Sequence, residues 1–461
     1  MSENGRKPTF HIITYGCQMN VSDSERMEAL LREQGFEPVE DMGEADLVLI
    51  NTCSVREKPE RKVLSLLGEL RLIKQRRPEL VVGICGCMAQ RVGPSLRERY
   101  PVVDLMVGTA EVERLPQLVQ QVRDTRKPAF ALDLPRTRAQ ALQMDRSGPR
   151  TPVTGKLKSF VPIIDGCDKA CAFCIVPHTR GRERSRPLDD IVEEVQRLVD
   201  AGCKEVTLIG QNVNAYMMAE DGRRNGSRHF VRLLELLNEI PGLLRIRFTT
   251  NHPLDFRQEI IDAVADLPKV CEWIHLPVQA GDNNVLKRMR RGYTREHYLD
   301  LIARIRERVP DCVITTDLMV GFPGETEEEF ENTLSLVEQV RFDAAYMFAF
   351  SPRPGTPAAS MPDQVPREVK QRRLKQLIDM QNAISIEKNS ARLGQPMEVL
   401  VEGCAKEPGQ VTGHSRGNHT VNFPGEPSLI GSLVTVRPTE AHVWGFVAEV
   451  QGASLNPGFE L

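Results

Sequence analysis

GCDKACAFC places Cys167, Cys171 and Cys174 in a C-x3-C-x2-C loop directly after the strand-like run FVPIID (Phe160 to Asp165). So short a loop can offer three thiolates to three corners of a compact iron–sulfur cluster. The fourth corner then has no protein ligand, and its iron is free to chelate a small molecule through amino and carboxylate groups. A zinc knuckle is the alternative, kept open by His178 four residues past Cys174, although structural zinc takes four ligands. Three further cysteines, Cys17, Cys53 and Cys87, each follow a strand-like run and are 36 and 34 residues apart, one βα unit each. In open α/β sheets ligands bind at the carboxyl ends of strands, so these three thiols could meet there. Cys85 complicates that trio, because residues i and i+2 of a strand share a face. The place of Cys87 in GCMAQ favours it over Cys85. Cys203, Cys271, Cys312 and Cys404 are scattered and read as small packing residues.

The elements that position these groups are legible from patterning. Residues 8–124 alternate apolar runs with helical periodicity: Phe10 to Tyr15, Ala45 to Thr52, Leu80 to Cys85 and Val102 to Gly108 read as strands. Helices are expected over Ser22 to Arg32, capped by a serine, and over Lys58 to Lys74. This order implies an α/β domain with a parallel sheet. Residues 125–152 carry prolines and basic residues with little periodicity and read as a linker. Residues 153–392 repeat the βα order six times, with strands at Phe160 to Asp165, Glu205 to Gly210, Leu244 to Thr250, Glu272 to Val278, Val313 to Gly321 and Asp343 to Phe350. That predicts a partial (β/α)6 barrel with its chemistry at the strand C-terminal ends. Residues 366–392 form a basic closing helix. Residues 393–457 change to short alternating strands (MEVLVEG, HTVNFPG, SLVTVRP, HVWGFVAEV), the pattern of a small all-β barrel.

Composition sets outer limits. The chain has 461 residues, 41% hydrophobic and 27% charged, which excludes wholesale disorder, a fibrous repeat and a disulfide-held miniature. A net charge of −3 argues against a generally polycationic nucleic-acid binder but leaves local patches possible. No run approaches the 18 or so apolar residues of a transmembrane helix, and the start, MSENGRKPTFHII, has no secretory pattern. A cytoplasmic protein away from membranes is expected. Structural disulfides are rare there, and an odd total of eleven cysteines cannot pair off, so clustered thiols point to metal.

The cysteine loop, with Phe173 before its third cysteine, resembles the radical S-adenosylmethionine (SAM) superfamily. TYGCQMN, NTCSVREK, GCMAQ, GCDKACAFCIVPHTRGRERSRP, LIGQNVNAY, HLPVQAGDNNVLKRMRRGYT and VGFPGETEEEF together resemble its methylthiotransferase family over nearly the whole chain. NTCSVREKPERKV with GCMAQ is similar to the branch that modifies tRNA; the branch acting on ribosomal protein S12 is the nearest alternative, and a non-enzymatic zinc-dependent RNA-binding protein is the alternative of another class. The resemblance implies an N-terminal methylthiotransferase domain with an auxiliary cluster, a radical SAM domain and a C-terminal RNA-binding TRAM barrel. It implies two [4Fe-4S] clusters, one on the catalytic Cys167, Cys171 and Cys174, the other on Cys17, Cys53 and Cys87. It also implies two SAM molecules, one methylating a sulfur and one reductively cleaved, and conversion of N6-isopentenyladenosine beside the tRNA anticodon to its 2-methylthio form. Expected partners are the tRNA anticodon stem-loop and an electron donor such as a flavodoxin or ferredoxin, with the chain a monomer.

Other groups are candidates. Gln211, Asn212 and Gln279 stand at the rim of the predicted barrel, where they could contact SAM or simply hydrogen-bond their own loops. Gly321 and Gly324 lie in VGFPGET, whose backbone N–H groups could receive the cofactor; an ordinary turn before a capped helix is the alternative. Arg180, Arg182, Arg184 and Arg186 could clamp phosphate or carboxylate, or form a solvated charge run. Lys287 to Arg291, and Arg367, Lys370, Arg372, Arg373 and Lys375, could extend a phosphate-binding surface. GHSRGNHT, with His414, Arg416, Asn418 and His419 and with Phe423 nearby, could contact RNA or be a polar hairpin turn.

Overall fold

The computed structural model describes residues 6–54, 57–135, 137, 140, 154–217 and 226–451. Apolar runs such as LVLINT and VVGIC are buried along their whole length, as central parallel strands require. They form the middle of a six-stranded parallel sheet ordered β2-β1-β3-β4-β5-β6. Its members are β1 (Thr9–Tyr15), β2 (Glu37–Pro38), β3 (Leu47–Thr52), β4 (Val81–Cys85), β5 (Leu105–Val107) and β6 (Ala129–Ala131). Separate apolar clusters cover its two faces, one built on Met27, Leu31 and Val119, the other on Val63, Leu67 and Met88.

Two expectations shift here. The first helix is Gln18–Glu33 and begins at Cys17, not at a serine cap near Ser22. Cys17 and Asn20 exchange reciprocal capping contacts, and Ser22 is buried inside the helix. The segment read as linker also begins with structure, since β6 pairs with β5 and completes the sheet. Residues 141–150 of that segment lie outside the described residues.

The second domain contains β7 (Lys158–Pro162), β8 (Ile164–Asp165), β9 (Arg184–Ser185), β10 (Glu205–Ile209), β11 (Arg245–Phe248), β12 (Trp273–His275), β13 (Val313–Val320) and β14 (Ala344–Ala349). Parallel sheets β11-β10-β7 and β12-β13-β14 are joined by a parallel bridge between Ile246 and Val270. Among the described residues no pairing joins β14 back to β7, so this is the partial six-stranded barrel that the sequence predicts. Ile246, Ile274, Ile314 and Ala345 face the helices in one large core. Strand side chains alternate, so Arg245, Arg247, Trp273, His275, Thr315, Asp317 and Tyr346 face the lumen.

The C-terminal domain is a closed barrel of β15 (Met397–Cys404), β16 (Gln410–Ser415), β17 (Thr420–Pro424), β18 (Leu433–His442) and β19 (Gly445–Val450). Its core is Val399, Val401, Val411, Val421, Phe423, Val436 and Phe446. β16 is a fifth strand beyond the four expected from patterning. No helix of the described residues is long and apolar enough to cross a membrane.

Candidate functional site

Cys167, Cys171 and Cys174 sit beyond β8, at the C-terminal end of the barrel strands. Their loop is pinned by backbone. Gly166 has φ +75°, and a Cβ there would stand 2.2 Å from the Arg182 carbonyl oxygen. Cys167 N–H donates to Gly181 O at 3.2 Å, Ala172 N–H to Met289 O at 2.9 Å, and Ala358 N–H to Ala172 O at 2.8 Å. Two donors address the sulfurs: Lys169 N–H to Cys167 Sγ at 3.4 Å and Arg291 Nη1 to Cys171 Sγ at 3.3 Å. Burial pushes the Cys167 thiol up to about 12 and the Cys174 thiol up to about 11. Donated N–H···S bonds and a nearby guanidinium favour thiolates that burial alone disfavours, which is the environment a cysteine-held cluster needs.

The second trio is brought to one edge of the N-terminal sheet. Cys17 opens the first helix, Cys53 follows β3, and Cys87 lies in the first turn of the helix Gly86–Val92 after β4. A buried amide pair braces the first two. Asn51 Nδ2 donates to Asn20 O at 2.8 Å and Asn20 Nδ2 donates to Asn51 Oδ1 at 3.1 Å, while Asn20 Oδ1 accepts from Cys17 Sγ at 3.4 Å. The Cys17 thiol is lowered to about 5, first by a hydrogen bond from Cys53, then by the Arg180 charge and the helix N–H groups. Among the described residues no three His, Cys, Asp or Glu side chains stand close enough to share one metal ion.

Cys85 is separated from Cys87 by Gly86, whose φ is +81° and where a Cβ would meet Asn51 Oδ1 at 2.3 Å. That turn sends the fully buried Cys85 into the apolar core with Leu105 and Val107, and burial pushes its thiol up to about 12. The shared face expected from a continuous strand is therefore absent, because β4 ends at Cys85.

Arg180 links the two sites. It is 3% exposed, and its guanidinium reaches Asp23 Oδ2 of the first helix at 2.6 Å and Asp165 Oδ1 at the barrel rim at 3.3 Å. The other arginines of its run are also spent. Arg186 pairs with Glu194 at 2.9 Å, Arg184 Nη2 donates to Arg180 O at 3.4 Å, and Arg182 pairs with Asp168 at 3.1 Å. Arg180, Arg184 and Arg186 are buried and form neither a phosphate clamp nor a solvated run, whereas Arg182 stays exposed.

At the rim, Gln211 Oε1 accepts from Gly166 N–H, tying β10 to the cysteine loop. Asn212 Nδ2 donates to Asp255 at 2.8 Å, and Asp255 also pairs with Lys169 at 2.7 Å. Asn212 Oδ1 is buried with no hydrogen-bond partner. Asn251 Oδ1 and His252 Nε2, just past β11, are in the same condition and were not singled out by sequence reasoning. Their only signal was position after the third barrel strand. Burial and the nearby Arg291 and Lys169 charges push His252 strongly down, so its ring is neutral. Such orphaned atoms are what a polar ligand would satisfy. Gln279 has φ +74° and Thr250 φ +70°, so two non-glycine residues near this rim adopt the left-handed backbone.

Gly321 and Gly324 do not offer the free N–H groups expected of them. Gly321 N–H donates to Glu325 at 2.6 Å and Gly324 N–H to Asp363 O at 2.8 Å, and Thr326 with Glu329 forms a capping box. The turn is occupied by its own helix start. The basic helix Arg367–Ser390 is likewise engaged, with Arg372 on Glu327 at 2.8 Å and Arg373 on Glu325 at 2.8 Å. Of the segment Lys287 to Arg291, Arg288 pairs with Glu329 at 2.6 Å, and Arg291 is buried against the cysteine loop rather than facing phosphate. The hairpin at 413–420 turns inward too. Arg245 donates to His414 O at 2.7 Å, Arg247 to Ser415 O at 2.7 Å, and Arg416 pairs with Glu272 at 2.7 Å. His414 accompanies Glu402 at 2.8 Å, and Phe423 is in the core. That hairpin docks the small barrel onto the amino ends of the large barrel's strands.

Comparison with known proteins agrees with this architecture. Residues 161–337 match the Radical SAM superfamily, residues 9–108 the Uncharacterized protein family UPF0004, and residues 391–444 the TRAM domain. A Moorella thermoacetica protein described as "tRNA-2-methylthio-N(6)-dimethylallyladenosine synthase" is 48% identical over 95% of this chain and 97% of its own. One of the same description from Symbiobacterium thermophilum is 46% identical over 96% and 94%. In fold alone, the chain is similar to the radical SAM methyltransferase TsrM of Kitasatospora setae, solved with cobalamin and a [4Fe-4S] cluster bound. That likeness has a TM-score of 0.55 at 15% identity and covers 88% of this chain and 81% of the other.

Proposed function

The chain belongs to the tRNA-2-methylthio-N(6)-dimethylallyladenosine synthases of the radical SAM superfamily, and from that premise we propose how its own residues divide the work. It is a tRNA methylthiotransferase that uses SAM and [4Fe-4S] chemistry. Its substrate is the N6-isopentenylated adenosine beside the anticodon, which gains a methylthio group at C2. An aromatic C–H offers no acidic proton and no leaving group, so acid–base catalysis cannot serve. A bound cluster supplies the electron that splits the sulfonium bond of SAM, and with it the reactivity.

Cys167, Cys171 and Cys174 would hold the catalytic cluster and Cys17, Cys53 and Cys87 the auxiliary one; two SAM molecules would be used per conversion, one to methylate a sulfur and one to be reductively cleaved. The observation that carries this assignment is the cysteine loop at the strand ends with N–H donors from Lys169 and Arg291 aimed at its sulfurs. Asn212, Asn251 and His252 present the polar atoms left for SAM, while Gln211 and Asp255 hold the loop in register with β10. Gln279 contributes its side chain from a strained position at the rim. Full-length similarity to the tRNA enzymes favours tRNA over ribosomal protein S12. A flavodoxin or ferredoxin is the expected electron donor, and the chain is expected to act in the cytoplasm as a monomer.

Nucleoside mass spectrometry of tRNA from cells with and without the gene tests this reading. Loss of 2-methylthio-N6-isopentenyladenosine, with its unmethylthiolated precursor accumulating, is expected; unchanged tRNA together with a lost thioether on S12 would reverse it. The Cys85 environment yields a sharper expectation. Cys87→Ala protein reconstituted with iron and sulfide should lose about four irons, one cubane's worth, whereas Cys85→Ala should keep its full complement. Equal losses from both variants would return Cys85 to the ligand set.

A further inference from the structure

The inward-turned hairpin leaves a different part of the small barrel facing outward. The turn between β18 and β19 carries Trp444, which is 50% exposed. Its ring lies 5.5 Å from that of Tyr346, tilted by 30°, and Tyr346 is a β14 lumen residue that is itself 45% exposed. The aromatic series continues inward: Tyr346 to His275 at 5.8 Å and 75°, then His275 to Trp273 at 6.3 Å and 20°. Both tryptophans of the chain belong to it.

Trp444 and Tyr346 together make an exposed aromatic patch shared by two adjoining domains, the kind of surface that marks an interaction site. Here the exposed turn is held in place. Asn389 of the closing helix, fully buried, donates Nδ2 to His442 O at 2.7 Å. Thr420 N–H donates to Trp444 O at 3.3 Å, and a Cβ at Gly445 would stand 2.0 Å from Thr420 O, so the turn presses tightly on β17. The tryptophan is thus presented, not merely left over.

We propose that Trp444 and Tyr346 form a two-domain stacking platform for an unpaired base of the tRNA anticodon loop other than the reacting adenosine. Planar aromatic rings partly exposed to water suit nucleobases, which single-stranded RNA offers and duplex RNA hides. Tyr346 borders the open side of the barrel, because β14 has no partner strand beyond β13 among the described residues. Three residues of β14 separate it from the strand's end, about 10 Å of rise. A base stacked there is therefore distinct from the base held at the cysteine rim. The platform rests on the tRNA reading above and adds to it the place where a second nucleotide is held.

The test measures binding of a synthetic anticodon stem-loop carrying N6-isopentenyladenosine, and of a fully paired RNA of equal length, by fluorescence anisotropy across salt concentrations. Trp444→Ala and Tyr346→Ala should each weaken stem-loop binding about tenfold, while Trp444→Phe stays near wild type. Duplex binding, and the slope of log affinity against log salt, should not change, since no phosphate contact is removed. Alanine variants that bind the stem-loop within about twofold of wild type would overturn the proposal, as no stacked base costs so little to lose. So would an equal loss for duplex, or a concentration-dependent dimer abolished by Trp444→Ala, which would assign the surface to a second copy of the chain. Wild-type protein that binds neither RNA would instead overturn the tRNA reading itself, and the platform with it.

Discussion

Anaerobically reconstituted Cys167→Ala protein is expected to hold about four irons where the parent holds about eight, and to cleave no SAM. The loop has no spare sulfur to compensate. Cys167 is fixed from both sides, by Gly166 pressed against the 181–182 backbone and by its own N–H on Gly181 O. The other barrel thiols lie elsewhere in packing roles: Cys203, for instance, donates to Glu205 O at 3.3 Å at the amino end of β10. Two thiolates cannot seat a cubane that needs three corners held and one left open for SAM. Iron and sulfide analysis, the visible spectrum and methionine release on reduction supply three independent readouts. Retained iron with full SAM cleavage would refute the ligand assignment, and a colourless protein binding one zinc would refute the cluster altogether. Cys203→Ala is the matched control and should keep both iron and cleavage.

Arg180→Met should destabilise the protein by about 3–5 kcal/mol, the usual cost of breaking a buried pair by removing one partner. Methionine keeps volume but removes the buried guanidinium that reaches both Asp23 and Asp165 at the domain junction. The penalty depends on pH in a determinate direction. Burial already pushes the Asp23 carboxyl up to about 6, with Arg180 pulling it back down. Without the guanidinium its folded-state affinity for a proton rises further, so a native group with a raised carboxyl value stabilises at low pH and loses that contribution as pH rises. The variant should therefore lie closest to wild type near pH 5 and furthest below it near pH 8. Chemical denaturation at the two pH values measures this. A pH-independent difference would show that the lost packing of the side chain, not its charge, sets the cost. Arg180→Lys, which keeps the charge but not the two-pronged geometry, should fall between the two.

Much of this site was legible because its information is local. The C-x3-C-x2-C spacing is covalent, and it falls beyond strand residues that apolar patterning identifies. All six barrel strands, and four of the six in the N-terminal sheet, overlap runs that the sequence marks as strands. Strand ends were less secure. β4 stops at Cys85 because Gly86 takes a positive φ, and one glycine reverses the conclusion drawn from i, i+2 periodicity.

The basic segments were not legible, for a related reason. A run such as HTRGRERSR states how many charges it carries but not what lies opposite them. Arg180 meets Asp23 across 157 residues, and Arg416 meets Glu272 across 144. Arg180 and Arg416, candidates for binding phosphate or RNA, instead join domains, while the exposed aromatic surface arises from Tyr346 and Trp444, which no sequence motif connects.

By itself, then, the sequence determined the order of the domains, the two cysteine trios and the chemistry that three thiols one ligand short can support, since each depends on residue type and short spacing. The burial of Cys85 in the apolar core, which arginines are paired, and which turn of the small barrel faces outward were decided only by the tertiary structure. Burial and charge pairing are properties of neighbours in space, and those neighbours come from distant parts of the chain.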